Sequence, residues 1–178
     1  GDPEFSHQIW IANYGKTLAL PEKDLEPLLT LIFLHDLCED KKISYEEIED
    51  KFGKQIMNFV KAISKVYFLT GDKKTEENYY QDLLQDPLIV VAKGIDRLHN
   101  LTTMYGPFSR TKQEKYIDET YRLHLPLLKE AREKFPEHRN VFESLKRDIE
   151  TRIQMIKERH NEVDLVKNNH LENKSMAL

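Results

Sequence analysis

The residues of this chain that could do chemistry gather in one short stretch. Leu31-Ile32-Phe33-Leu34 is apolar and suits a protein interior, yet it runs straight into His35, Asp36, Glu39 and Asp40. On a continuing helix His35 and Glu39 share one face, as do Asp36 and Asp40. Three carboxylates in a last turn oppose the helix dipole, which favours cations there. Burying them unpaired would cost several kcal/mol, so some cation must compensate. One solution is water together with Lys41 and Lys42, at a frayed acidic helix end. The other is a metal: a His nitrogen beside carboxylate oxygens, without thiolates, suits Mn²⁺, Fe²⁺ or Zn²⁺.

Two adjacent residues cannot complete a metal site, so other helices must contribute. His7 lies in the first predicted helix. Asp96 lies in Ile95-Asp96-Arg97-Leu98-His99-Asn100, within an apolar segment that includes Leu88, Ile89, Val90, Val91 and Ala92. Taken alone, His7 reads as a surface or satisfied core residue, and Asp96 as the partner of Arg97. Their order along the chain, His, then His-Asp, then Asp on a later helix, carries more weight than either one.

The elements that must position these groups read as helices almost throughout, with no sustained strand alternation. The first is predicted from about Ser6 to Leu18, and the second from near Glu22 to about Asp40. Ser44-Tyr45-Glu46-Glu47 has the form of a capping box. Gly53 divides that helix from one bearing Ile56, Phe59, Val60 and Ile63. Thr70-Gly71-Asp72-Lys73-Lys74 is a loop, and a helix follows through Tyr79 and Leu83. Asp86-Pro87 opens a helix from Leu88 to Tyr105, which Gly106-Pro107 ends. Two long helices remain, Lys112 to Lys134 and His138 to Val166. In the second, Phe142, Leu145, Ile149, Ile153 and Ile156 form an apolar stripe that suits packing on the domain, with dimer formation as a lesser use. The expectation is an all-α, single-domain helical bundle over residues 1–166, followed by a polar, frayed tail over 167–178.

Composition narrows the function. The 178 residues suit one domain. With 27 basic and 31 acidic residues the net charge is −4, which argues against broad nucleic-acid binding. No stretch is long and apolar enough to cross a membrane. A single cysteine, Cys38, excludes a disulfide framework and suits a reducing cytoplasm. No secretory leader is visible, and because the chain opens on Gly1 an upstream segment is expected.

The order His7, His35-Asp36, Asp96 resembles the HD superfamily of metal-dependent phosphohydrolases. Gly1 to His7, Phe33 to Asp40, Phe52-Gly53-Lys54, Ile63-Ser64-Lys65, Glu77-Asn78 and Asp96 to Leu101 are similar in detail to RelA/SpoT hydrolase domains and the small alarmone hydrolases. The His-Asp-x-x-Glu-Asp motif joined to Asp-Arg-x-His-Asn is the selective part, and the resemblance covers about residues 1–105. It implies an HD-type bundle that cuts the 3′-pyrophosphate from (p)ppGpp, with Mn²⁺ as the usual cofactor. Carried over, His7, His35, Asp36 and Asp96 are the metal ligands, and Glu39 and Asp40 are the acidic pair that handles the attacking water. Asn100 and Thr103 are substrate contacts. The basic residues Lys65, Lys73, Lys74, Arg97 and Lys112 are candidates for holding phosphates, Lys73 and Lys74 first among them.

There are departures from the pattern. The Arg-Lys pair that usually precedes the first segment would lie before Gly1, in a stretch expected to be truncated or trimmed. Gln8 follows the first His where a Pro is usual, and Glu4 stands where a Tyr is usual near the base, a change that makes an adenine alarmone such as (p)ppApp an alternative to the guanine one. Two other readings remain: an HD phosphatase acting on a dNMP or NADPH, and a catalytically silent nucleotide sensor. The expected partner is a small nucleotide, with no nucleic acid and no membrane, bound by a monomer or weak homodimer in the cytoplasm.

Overall fold

A computed structural model describes residues 5–38, 43–67 and 70–176, with side chains as far as 166. Among these the architecture is all-α, as expected, the extended backbone amounting to two isolated bridges, Val66 to Lys73 and Tyr105 to Phe108. The helices are α1 (Ser6–Thr17), α2 (Glu22–Leu34), α3 (Tyr45–Ile63), α4 (Glu76–Leu83), α5 (Pro87–Thr103), α6 (Arg110–Glu119), α7 (Leu125–Lys134) and α8 (Arg139–Met176). A π-helical turn, Thr120–His124, joins α6 to α7 without a break.

Local chemistry explains most of these boundaries. The Ser44 hydroxyl accepts from the Glu47 backbone N–H while the Glu47 carboxylate accepts from the Ser44 N–H, completing the capping box at α3. Gly53 interrupts that helix at φ 82°, where a side chain would be strained. The Asp86 carboxylate caps α5 by accepting from the Leu88 N–H, and Pro87 occupies the first turn, where its missing N–H costs nothing.

Two boundaries differ from the sequence reading by more than two residues. The second helix stops at Leu34, so His35 to Cys38 form a turn rather than its last coil. That change matters for chemistry, because neighbouring residues on a regular helix do not face each other. The last helix runs to Met176, ten residues beyond Val166, with Lys167 onward continuing its helical path.

The core is built around α5. Eleven of its residues are buried, among them Val90, Val91, Ile95 and Leu101. It packs on α8, whose buried stripe is Val141, Phe142, Leu145, Ile149, Ile153 and Ile156, and also against α1 and α2. At Gly94 the two helices come so close that an added Cβ would meet Leu145 Cδ1 at 3.1 Å. The stripe therefore serves the domain itself. Cross-ties fix the outer helices: Tyr14 on α1 donates to Asp148 on α8 at 2.5 Å, and His138 contacts Asp24 of α2 at 2.8 Å. The result brings the N-terminal part of α1, the end of α2 and the middle of α5 to one place.

Candidate metal centre

Each element delivers one piece of the site. His7 comes from the first turn of α1, His35 from the turn after α2, and Asp96 from the buried face of α5. A ligand atom from each lies within 4.8 Å of the others. His7 Nε2 is 3.3 Å from Asp96 Oδ1, and His35 Nε2 is 2.9 Å from Asp36 Oδ2. Neighbouring ligands on a six-coordinate ion with bonds of about 2.1 Å stand roughly 3 Å apart, a spacing that suits the His7–Asp96 pair. Asp36, predicted as a fourth ligand, touches His35 but is not among the three residues whose ligand atoms converge.

The decisive atom is His35 Nε2. It is buried, meets no hydrogen-bond geometry among the described residues, and stands 2.9 Å from Asp36 Oδ2 as an ion-pair contact. The other ring nitrogen, Nδ1, sits 2.6 Å from the Ile32 carbonyl, to which it donates. In the neutral imidazole that bond fixes the tautomer with the proton on Nδ1 and leaves the Nε2 lone pair for a cation, the arrangement of a metal-ligating histidine. The donor set of imidazole nitrogens and carboxylate oxygens fits a divalent transition ion.

The electrostatics agree. Burial alone would raise the Asp96 carboxyl, but the Lys93 ammonium and the His7 contact hold it well below the usual carboxylate range. Asp36 is likewise lowered, burial being outweighed by its contact with His35. For His35 burial works against protonation, yet the carboxylates of Asp36 and Asp96 reverse it and raise the imidazole. The site is thus a pocket of ionised carboxylates that attracts positive charge.

Several expected contacts settle differently. Asp96 pairs with Lys93, whose Nζ is 2.9 Å from Oδ2, and not with Arg97. Arg97 turns away from the site and is 1% exposed, its guanidinium 3.8 Å over the Tyr116 ring and 3.1 Å from Glu119. Its charge is thus engaged by Glu119 and Tyr116 and not by Asp96, since a side chain one position on points about 100° around the helix. Asn100 donates to Asp96 Oδ1 at 2.8 Å, which steadies the carboxylate from the end opposite Lys93. Thr103 is exposed one turn further on, its hydroxyl donating to the His99 carbonyl.

Of the lysines, Lys65 pairs with Glu119 at 3.1 Å. Lys74 pairs with Asp82 at 2.7 Å and also donates to the Lys61 carbonyl, so its charge is largely committed. Lys73 is exposed. These three share a cavity of about 300 Å³ with Glu119 and Tyr79. Lys112 lies apart from them, over the Phe108 ring at 3.6 Å. Glu4, Glu39 and Asp40 fall outside the described residues. Cys38 is buried, and burial together with Glu46 pushes its thiol up to about 11, which disfavours a nucleophilic role.

Sequence reasoning passed over three participants. Lys93 lies one turn before Asp96 on the same face, a spacing that could have revealed it. His99 was quoted only as part of a motif, yet its Nδ1 is 2.7 Å from His7 Nδ1. Glu119 neutralises both Arg97 and Lys65 from a helix remote in sequence, and no local signal marks it.

No protein-family model matches the chain. Among curated proteins, 130 residues, 71% of the chain, are 31% identical to guanosine-3′,5′-bis(diphosphate) 3′-pyrophosphohydrolase of Aquifex aeolicus, covering 18% of it. Over 133 residues, again 71% of the chain, identity is 32% to a probable enzyme of the same name from Synechocystis, covering 17% of it. The bifunctional (p)ppGpp synthase/hydrolase SpoT of Escherichia coli is 31% identical over 133 residues, 71% of the chain and 18% of that protein. The chain spans less than a fifth of the length of these relatives. It is homologous, at about 30% identity over 71% of its own length, to a region of the RelA/SpoT (p)ppGpp hydrolases. Among the described residues no helix is long and apolar enough to cross a membrane.

Proposed function

We propose that this chain hydrolyses the 3′-pyrophosphate of alarmone nucleotides, (p)ppGpp and also (p)ppApp, with Mn²⁺ as its ion and pyrophosphate as a product. The observation that carries the reading is the convergence of His7, His35 and Asp96, with ligand atoms within 4.8 Å of one another and His35 Nε2 buried beside the Asp36 carboxylate. Homology to the (p)ppGpp hydrolases supports the substrate class.

His7, His35, Asp36 and Asp96 would hold the ion, which when bound supplies Lewis acidity to lower the pKa of a water and draw charge from the phosphoryl oxygens. Glu39 and Asp40, which follow the His35-Asp36 pair, orient the attacking water and take its proton. Its oxygen forms the new bond to the phosphorus that carries the ribose 3′-oxygen. The bond to that oxygen breaks, and the 3′-oxygen leaves with a proton. In this reading Asn100 and Thr103 contact the ribose and phosphate, and Lys73, with Lys65, Lys74 and Lys112 as further candidates, offers positive charge to the phosphates. The same reading has the protein acting on a small nucleotide in the cytoplasm, as a monomer or weak homodimer.

Incubation with ppGpp, ppApp and NADPH in the presence of Mn²⁺, with products separated by chromatography, tests this directly. Pyrophosphate from ppGpp or ppApp is the expected product. Orthophosphate from NADPH alone would mark a different HD phosphatase, and binding without turnover would mark a sensor.

A further inference from the structure

His7 can serve a metal only in one of its two neutral forms. Its Nε2 faces the cluster, 3.3 Å from Asp96 Oδ1, and its Nδ1 faces His99 Nδ1 at 2.7 Å. Two imidazole nitrogens at that distance share a single proton, one donating and the other accepting. If His99 carries it, His7 is protonated at Nε2, which then closes onto Asp96 and has no lone pair to offer. If His7 carries it at Nδ1, Nε2 is free.

Resting on the metal-centre reading above, we infer that His99 is a positioning residue that selects the ligating form of His7. His7 keeps its proton on Nδ1 and donates it in a hydrogen bond to the His99 Nδ1 lone pair, which leaves the His7 Nε2 lone pair for the ion. The surroundings keep His99 in place for this task. Its ring packs 4.8 Å from Trp10 and meets His7 edge to face at 4.5 Å, while Thr103 anchors its backbone carbonyl. His35 receives the equivalent service from the Ile32 carbonyl. The two candidate imidazole ligands are thus oriented by different means, one by its own backbone and the other by a side chain from α5. Hydrogen bonds of this kind to a metal-bound imidazole are worth about 10–100-fold in metal affinity.

The test is equilibrium Mn²⁺ binding by the full chain, read from the free-ion electron paramagnetic resonance signal, for the wild type, His99→Phe and His99→Asn. Phe keeps a ring against Trp10 and removes the acceptor. Asn places its carbonyl oxygen close to where Nδ1 stood. The expected result is about 10–100-fold weaker binding for His99→Phe and binding within a few-fold of wild type for His99→Asn. Equal affinity in all three proteins would overturn the inference, as would equal losses in both variants, which would point to packing. Absence of binding by the wild type would instead sink the metal-centre reading on which it rests. Should His99→Phe not fold, imidazole ¹⁵N spectra of the Zn²⁺-loaded wild type decide: His7 protonated at Nδ1 supports the assignment, and His7 protonated at Nε2 refutes it.

Discussion

Lys93 Nζ lies 2.9 Å from Asp96 Oδ2, a full ion pair in which 12% and 11% of the two side chains remain exposed. The lysine supplies, in the metal-free protein, the positive charge that so buried a carboxylate requires. Replacing it leaves that carboxylate without compensation, which costs about 3–5 kcal/mol at a buried pair. Lys93→Met should therefore lower the melting temperature of the metal-free protein by several degrees. Mn²⁺ should restore more stability to this variant than it adds to the wild type, since the ion takes over the missing charge. Thermal denaturation with and without Mn²⁺ checks both halves of the prediction.

The Glu119–Arg97 pair should behave as structure and not as part of the metal centre. Burial would raise the Glu119 carboxyl, but Arg97 and Lys65 hold it below its ordinary value of 4.5. Its contribution to stability is present above that value and is lost as pH falls through the lowered one. Glu119→Ala strands the Arg97 guanidinium, which is 1% exposed, and should cost about 3 kcal/mol at pH 7. The penalty should shrink in acid, where the wild type loses the same charge. Denaturant titrations at pH 7 and pH 3.5, with Mn²⁺ affinity at pH 7 unchanged, form the check.

Cys38 should prove inert. With its thiol pushed up to about 11 by burial and by Glu46, almost none is ionised at pH 7.5. Reaction with iodoacetamide in the folded state should be far slower than for free cysteine, and Cys38→Ser should retain turnover. Rapid labelling accompanied by loss of activity would assign the thiol a part in the chemistry.

The acidic pair should separate turnover from metal binding. Glu39→Ala removes a group assigned to the water and not to the ion, so metal content should stay at the wild-type level while turnover falls by about 10²–10⁴. Parallel loss of metal would make Glu39 a ligand instead.

How far the sequence could be read follows from what each residue needed. His35 beside an apolar run and Asp96 inside another were legible because ionisable groups in such places require a local reason. The capping box at Ser44 and the Asp86-Pro87 start of α5 were legible because a cap is a local hydrogen bond. The end of α2 was not: the hydrophobic pattern runs on past Leu34, and no glycine marks the stop. Arg97 was assigned to the phosphates for its charge, but its direction depends on Tyr116 and Glu119, which reach it only once α6 has packed against α5. His99 and His7 are 92 positions apart, and only the folded chain shows that they touch. Glu39 and Asp40 rest on the sequence and on the resemblance, since they fall outside the described residues.

The account stands on His7, His35 and Asp96 closing around one divalent ion. The direct measurement is metal stoichiometry after equilibration with Mn²⁺ and removal of excess, by elemental analysis, for the wild type, His35→Ala and Asp96→Ala, with circular dichroism confirming that each is folded. The prediction is one ion per wild-type chain and little or none in either variant, with hydrolysis of ppGpp lost in step. Folded Asp96→Ala protein that still holds a full equivalent of Mn²⁺ would contradict it.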